Sequence, residues 1–341
     1  MKKLQFIFLG LLVVLTLAAC GQNGDDGSVG PAGTNGTTTV IILPPPVATS
    51  TPPEPFQLIT VGVVAEKYGP VLKGLNGDIF VHNGTSTPVN ITNSNGAFEE
   101  TPRISPDGTT VVMTVTERCV EKPSIFTIRK DGTALTRITG GDVCLSNSRD
   151  RFPSWGDLGR IFFSRVNIAT STPNEAIFLT DKGIETKINL AAGSIELQPI
   201  LFGSNLVGVS NDTSIPTIFN FYRFDFPSGV SKKLNLGDFT LFDPAANLAA
   251  TLVAGSKVYG ASESRNIVTI DPVSGAVTQL TGTVKNRCEV LPSFSRDGKV
   301  LMYQVYDCDG EDLVSKFFIR VMETGEILRI TGLEGAISAN F

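Results

Sequence analysis

The chain reads as a series of short runs in which apolar and polar residues alternate with a period of two. Gly-, Asp- and Asn-bearing turns separate them. Six such runs are DIFVH (78–82), SIFTIR (124–129), AIFLT (176–180), FNFYRF (219–224), IVTI (267–270) and FFIRVM (317–322). Each is followed by a tight turn: HNGTS, RKDGT, TDKGI, DFPSG, DPVSG and METG. Period-two patterning between Gly/Asp turns predicts β-hairpins. After each turn the next strand closes on an aliphatic residue followed by Thr or Asn, at Ile91, Ile138, Ile188, Leu234, Leu280 and Ile330, in steps of 47, 50, 46, 46 and 50 residues.

A third element then recurs as PRISPDG (102–108), PSWGDLG (153–159), PILFGSN (199–205), TLFDPAAN (240–247) and PSFSRDG (292–298). A fourth follows it: TVVMTV, RIFFSR, LVGVS, LAATLVA (248–254) and KVLMYQVY. Four strands in a unit of 40–50 residues, repeated along the chain, predict a β-propeller. The sixth copy stops at ISANF (337–341), and LITVGVVAE (58–66) has no partner before it. Pairing these two ends completes one blade and covers otherwise open edges. The expectation is an all-β, six-bladed propeller over residues 56–341, with four strands per blade, closed by pairing of the amino- and carboxy-terminal strands.

The segments P-R-I-S-P-D-G and P-S-F-S-R-D-G resemble the TolB-like family, whose repeats read P-x-[FW]-S-P-D-G; Pro153–Gly159 matches more loosely. The resemblance implies a propeller that works in the periplasm as a docking platform for envelope proteins, among them the peptidoglycan-associated lipoprotein. The chain departs from that family in its first 55 residues, where a lipid anchor and spacer stand in place of an α/β domain.

That amino-terminal stretch reads as an address. Met1-Lys2-Lys3 precedes an apolar run, Leu4–Ala19, ending in Leu17-Ala18-Ala19-Cys20. The layout is that of a signal peptide, and its end resembles the bacterial lipobox, which makes Cys20 the expected lipidation site and residues 1–20 the lipoprotein signal peptide. Gly21 rather than Asp follows Cys20, which by resemblance directs such a lipoprotein to the outer membrane. Residues 21–55 form a tether. Glycine recurs every third position from Gly21 to Gly36, and PPPVATSTPPEP (44–55) follows. The triplets fit a flexible spacer or a short collagen-like trimer, so the expected state is a monomer, or a trimer where that segment assembles. The Pro-rich part reads as an extended spacer.

Composition narrows the function. Charged residues are 18% of the chain and the net charge is −5, so a basic nucleic-acid footprint is absent. One His, His82 in HNGTS, reads as a solvated turn residue. No G-x-S-x-G elbow, phosphate loop, dinucleotide fingerprint or C-x-x-C pair occurs.

Four cysteines besides Cys20 in an exported chain point to disulfides. Three pairings are possible. Cys288 and Cys308 flank one predicted hairpin, and Cys119 and Cys144 lie on one predicted face, which favours Cys119–Cys144 and Cys288–Cys308. The loops carrying them are long and charged, and long loops on a rigid scaffold are where binding resides. The candidate binding face comprises Glu99, Arg118, Arg149, Asp150, Arg151, Glu196, Arg287, Glu289, Asp307 and Asp309.

Glu99, Asp150, Glu196 and Glu289 each stand three residues before the repeated Pro. They read either as an acidic rim attracting a cation or as carboxylates that hold neighbouring backbone. The leading reading is a lipid-anchored, non-catalytic, protein-binding scaffold of the cell envelope, periplasmic or surface-exposed, with no cofactor. The alternative is a calcium-dependent, lactonase-like hydrolase in which Asn95, Asn147, Asn211 and Asp150 converge in the channel.

Overall fold

The computed structural model describes residues 58–60, 71–74, 77–82, 88–94, 97–117, 122–139, 148–156, 159–167, 175–181, 184–188, 195–202, 205–211, 219–225, 230–234, 240–247, 251–258, 264–282, 284, 286–295, 297–308, 316–331, 333 and 336–340. The lipobox, the tether, Cys119, Cys144, Arg118, Asp309, Asn95 and Asn147 lie outside these residues. Among the described residues there is no α-helix, and no helix is long and apolar enough to cross a membrane.

Twenty-five strands are present among the described residues. β1 is Leu58–Thr60, β2 Val71–Gly74, β3 Ile79–Val81 and β4 Val89–Asn90. Next come β5 (Phe98–Ile104), β6 (Thr110–Thr116), β7 (Pro123–Arg129) and β8 (Thr136–Arg137). They are followed by β9 (Ser148–Trp155), β10 (Ile161–Asn167), β11 (Glu175–Asp181) and β12 (Ile184–Ile188). Then β13 (Ile195–Phe202), β14 (Asn205–Asn211), β15 (Phe219–Asp225) and β16 (Val230–Leu234). The last are β17 (Thr240–Ala246), β18 (Val253–Val258), β19 (Arg265–Ile270), β20 (Val277–Gln279), β21 (Arg287–Phe294), β22 (Val300–Asp307), β23 (Lys316–Val321), β24 (Ile327–Thr331) and β25 (Ala336–Asn340).

β5–β8, β9–β12 and β13–β16 are each a four-stranded sheet in chain order. β17–β20 and β21–β24 repeat that antiparallel arrangement but share one nine-stranded sheet, joined by a single parallel pair, Arg265 with Cys288, and extended at β24 by β1. The remaining sheet has the order β25-β2-β3-β4 and takes strands from both ends of the domain. The first strands of successive sheets are neighbours: β5 lies by β9, β9 by β13, β13 by β17, β17 by β21, β21 by β25, and β25 by β5.

Two expectations need correction. The carboxy-terminal strand pairs with Val71–Gly74, not with LITVGVVAE (58–66). Leu58–Thr60 instead runs parallel to β24, Leu58 opposite Arg329 and Thr60 opposite Thr331. β2 is the strand that also pairs with β3, so it alone can join β25 to the rest of that sheet. In the β17–β20 unit the second strand starts only at Val253, near the end of the LAATLVA run. Asn247 Oδ1 accepts hydrogen bonds from the Thr251 and Leu252 N–H groups at 2.9 and 3.0 Å, which commits those residues to a turn.

The sheets pack face to face. Val111, Met113 and Val115 of β6 cluster with Ile79, Val81 and Ile91 of one neighbour, while Val112 on the other face clusters with Ile161 and Phe163 of the next. Both faces are therefore apolar, which is why TVVMTV carries few polar positions. The same holds for β22, where Val300 and Met302 face one cluster and Leu301, Tyr303 and Val305 another.

The recurring aliphatic-Thr pair has a definite job. The Ile125 N–H donates to Thr139 Oγ1 at 3.0 Å, and the Ile138 N–H donates back to the Ile125 carbonyl at 2.8 Å. Ile79 is held in the same way by Thr92 and Ile91, and Ile267 by Thr281 and Leu280. A threonine hydroxyl thus replaces a backbone carbonyl where the outer strand ends, satisfying a donor that burial would otherwise orphan. Thr139→Val, isosteric but without the acceptor, is expected to cost about 1–3 kcal/mol and Thr139→Ser much less, read by urea denaturation; equal losses for both would contradict this role.

Candidate functional site

Strand direction divides each unit into two ends. The first strand runs from a loop end to a turn end, and the second returns. At the turn end, Ser105 and Asp107 close a tight turn. Asp107 Oδ1 accepts the Thr109 N–H at 3.0 Å and Ser105 Oγ accepts the Thr110 N–H at 2.9 Å. Ser295 and Asp297 repeat it, and Gly108 and Gly298 supply the positive φ of 76° and 68° that other residues disfavour. These turns are occupied by their own hydrogen bonds.

The disulfide lies at the loop end. Cys288 and Cys308 are bonded with Cα atoms 5.3 Å apart, joining the start of β21 to the residue after β22. By chain-entropy reasoning a closed loop of this size stabilises a fold by roughly 3 kcal/mol. The Cys308 N–H donates to the Asn286 carbonyl at 2.8 Å, and the Asn286 N–H donates to Ser264 Oγ at 3.1 Å, tying this corner to the preceding unit. Arg287 pairs with Glu289 at 3.0 Å and lies over the Phe318 ring. Arg149 and Asp307 are exposed there, and Arg151 is half-buried over the Phe152 ring. Glu196 lies in β13 and Asn211 in β14.

The three acidic residues whose side chains are described do not form an exposed rim. Glu99, Asp150 and Glu289 are only 2, 1 and 1% exposed. Glu99 accepts from Ser94 Oγ at 3.1 Å. Asp150 accepts two hydrogen bonds from Arg165, at 2.7 and 2.8 Å, and Arg165 also pairs with Glu185. Burial works against the Arg165 charge, but the hydrogen bonds to Asp150 and Glu185 outweigh it and push the guanidinium pKa up. At Glu289 burial pushes the carboxyl up, and Arg287, Thr281 and the Ile267 N–H pull it back in part. The Thr281 that caps its own unit thereby also touches the carboxylate of the next. In β17 the position three before Pro244 is the buried Leu241, so the pattern is one of interior support.

Among the described residues no group of three or more His, Cys, Asp or Glu is placed to hold a metal ion. Asp150, one of the four residues read as converging on calcium, is committed to Arg165. His82 is also corrected: it is 4% exposed, not solvated, because it follows directly on β3 inside a packed sheet.

The repeated Pro marks a site that sequence reasoning missed. Every first strand from β5 to β21 slips register there, since Pro lacks the N–H a regular ladder needs. Thr101, Phe152, Asp243 and Leu291, each just before its Pro, have φ of 48°, 54°, 51° and 51°, values unfavourable for residues with a Cβ. Arg103, just after Pro102, is desolvated, which lowers its pKa, and the Asp243 carboxylate opposes that shift. Its carbonyl accepts the Trp155 Nε1–H at 3.0 Å. β5 and β17 belong to sheets whose first strands are not consecutive neighbours. The signal was variation inside a repeat: Thr/Arg, Phe/Ser, Gln/Ile, Asp/Ala and Leu/Ser flank the Pro in successive copies.

Burial lowers the His82 pKa below its ordinary value of 6.5. The stability tied to neutral His82 is therefore present above pH 6.5 and is lost as pH falls through the folded-state pKa. Between pH 7.5 and 5 the urea midpoint of the wild type should fall more than that of His82→Gln; parallel profiles would contradict a buried neutral imidazole.

No protein-family model and no curated protein sequence matches the chain. Solved structures do. TolB from Acinetobacter baumannii superposes with a TM-score of 0.61 at 17% identity, covering 80% of this chain; the chain spans 66% of that protein's length. A puromycin-hydrolyzing peptidase of Mycobacterium tuberculosis gives 0.54 at 14% identity over 76% of this chain and 43% of its own. Oligogalacturonate lyase from Vibrio parahaemolyticus gives 0.53 at 9% identity, over 74% and 70%. With its repeated antiparallel sheets and neighbouring first strands, the chain has the TolB-like β-propeller fold.

Proposed function

We propose that the protein is a lipid-anchored cell-envelope scaffold: a signal peptide over 1–20, lipid on Cys20, a tether over 21–55, and a six-bladed propeller over 56–341 that binds envelope proteins through its disulfide-bearing loop end. Six blades of four strands account for the strand groups. β25-β2-β3-β4 is the composite blade, β17–β20 and β21–β24 are the fifth and sixth units in the nine-stranded sheet, and the succession of first strands returns to β25.

The observation that carries a binding rather than a catalytic reading is how the carboxylates are used. Glu99, Asp150 and Glu289 are buried and hold their own neighbours, leaving the loop end to offer exposed charge at Arg149 and Asp307. The expected second disulfide, Cys119–Cys144, and Arg118 and Asp309 lie outside the described residues and belong to this proposal. Peptidases and a lyase share the fold, and a shared propeller carries no activity by itself.

The test uses the full chain in cells. An alkyne palmitate should label the wild type and not Cys20→Ala. A photo-crosslinking side chain at position 149 should give discrete protein adducts that one at position 129, on the turn end, does not. Equal labelling of Cys20→Ala contradicts the anchor, and equal adducts at both positions contradict the loop end as the binding surface.

A further inference from the structure

The seam between the β17–β20 and β21–β24 units is tied by polar groups as well as by apolar packing. Side chains alternate along a strand, and Glu289 stands opposite Val305 and Tyr303 opposite Phe318. Arg287 and Glu289 of β21, Tyr303 and Val305 of β22, and Phe318 and Arg320 of β23 therefore share one face. That face packs on Ala254 and Ile267 of the neighbouring unit. Ser256 Oγ donates to the Glu289 carbonyl at 2.7 Å, and Arg320 Nη1 donates to the Leu280 carbonyl at 2.8 Å. The Glu289 side chain enters the same seam, with Oε1 lying 3.0 Å from Arg287 Nη2. Two oxygens are left over. Glu289 Oε2 and Tyr303 Oη are buried and have no hydrogen-bond partner among the described residues, and both side chains belong to residues only 1% exposed. Each such oxygen carries an uncompensated desolvation cost. Burial, and after it the Glu289 charge, push the Tyr303 hydroxyl pKa up, so the two groups lie within electrostatic reach of each other.

We propose that Glu289 and Tyr303 form a proton-dependent link at this seam: a proton taken from solvent onto Glu289 Oε2 is donated as a hydrogen bond to Tyr303 Oη, which gives both oxygens a partner. The carboxyl becomes neutral, and Arg287 loses the charge it faces. Other charged groups surround the pair. On the same sheet Asp307 stands opposite Arg287, Lys316 opposite Val305 and Arg329 opposite Phe318, with Arg320 on the same face. The packed unit presents Arg265, on the face of Ile267, and β17 carries Asp243. β25, next to β21 and β22, carries no titratable side chain. Cations outnumber acids here, yet burial prevails at Glu289 and pushes its carboxyl above the ordinary value of 4.5, with Arg287 opposing. The native state therefore holds this proton more tightly than the unfolded chain. The stability tied to it is full below pH 4.5 and is lost as pH rises through the folded-state pKa. Cys288 lies between Arg287 and Glu289, so proton uptake adds one positive charge beside the disulfide. The link is a property of the domain and depends on neither anchor nor partner.

The test is a set of urea midpoints for the full chain, disulfide intact, measured from pH 4.5 to pH 8.5. The wild type is compared with Tyr303→Phe, Glu289→Gln and the double variant. Tyr303→Phe removes only the hydroxyl and keeps the ring stacked on Phe318, 5.9 Å away between centroids. It should lower the midpoint about twice as much at pH 4.5 as at pH 8.5, because the hydroxyl oxygen serves only the protonated acid. In the Glu289→Gln chain, whose amide is a neutral donor at every pH, the loss from Tyr303→Phe should not change with pH. His82 is present in all four chains, so its titration cancels in the differences. An equal loss from Tyr303→Phe at both ends of the range overturns the link. So does a greater loss at pH 8.5, the sign of a phenol that donates to the carboxylate instead, or a loss that still varies with pH in the Glu289→Gln chain. Should Glu289→Gln fail to fold, the comparison of Tyr303→Phe with the wild type decides alone.

Discussion

A β-sheet with an unpaired edge and two apolar faces cannot stand alone in water, and the sheets built around β6 and β22 are of that kind. Each of their faces is buried against a neighbour. A sheet at an open end of the succession would leave one such face to water. The pairing of Ala336–Asn340 with Val71–Gly74 bears on that constraint, because it builds one sheet from both ends of the domain. With β25 in place, the first strands of all the sheets have a neighbour on each side. Without it, β2 loses one of its two antiparallel partners and β21 and β5 lose the strand between them.

The polar groups inside this arrangement serve the same end. A threonine at the close of an outer strand takes up a backbone N–H, and in one unit it also reaches the carboxylate that opens the next. Buried Asp150 is matched by Arg165 on the adjacent strand. Unpaired, such carboxylates would be costly; paired, they fix register between elements that apolar packing alone would let slide. At the loop end a disulfide holds the start of β21 to the residue after β22.

Much of the fold was legible because the repeat is written in residues with fixed structural jobs. Ile-Thr closes a strand through a hydroxyl acceptor, and Ser-x-Asp-Gly closes a turn through its own side chains; both can be spaced along the chain by eye. The Cys288–Cys308 pairing was legible for the same reason, since both cysteines flank one hairpin. Other features depend on partners distant in sequence. LITVGVVAE is longer and more apolar than VLKG, yet VLKG adjoins β3 and so receives the carboxy terminus. Glu99, Asp150 and Glu289 look alike whether they face solvent or each other's supports, and only Arg165, Ser94 and Arg287 decide it. His82 sits in a sequence that reads as a turn but follows a strand packed on both faces. Arg103 and Asp243 come together only because sheets remote in the chain approach each other.

The central claim is that the two ends of the domain close it, and shortening one end tests it most directly. Thermal unfolding of the full chain should be compared with a chain lacking residues 336–341. Closure predicts a midpoint lower by about 5 °C, the shift that about 3 kcal/mol produces in a domain of this size, with a broadened transition as the sheets next to the gap lose cooperativity. A melting curve superimposable on that of the full chain would show that the domain does not depend on its carboxy-terminal strand.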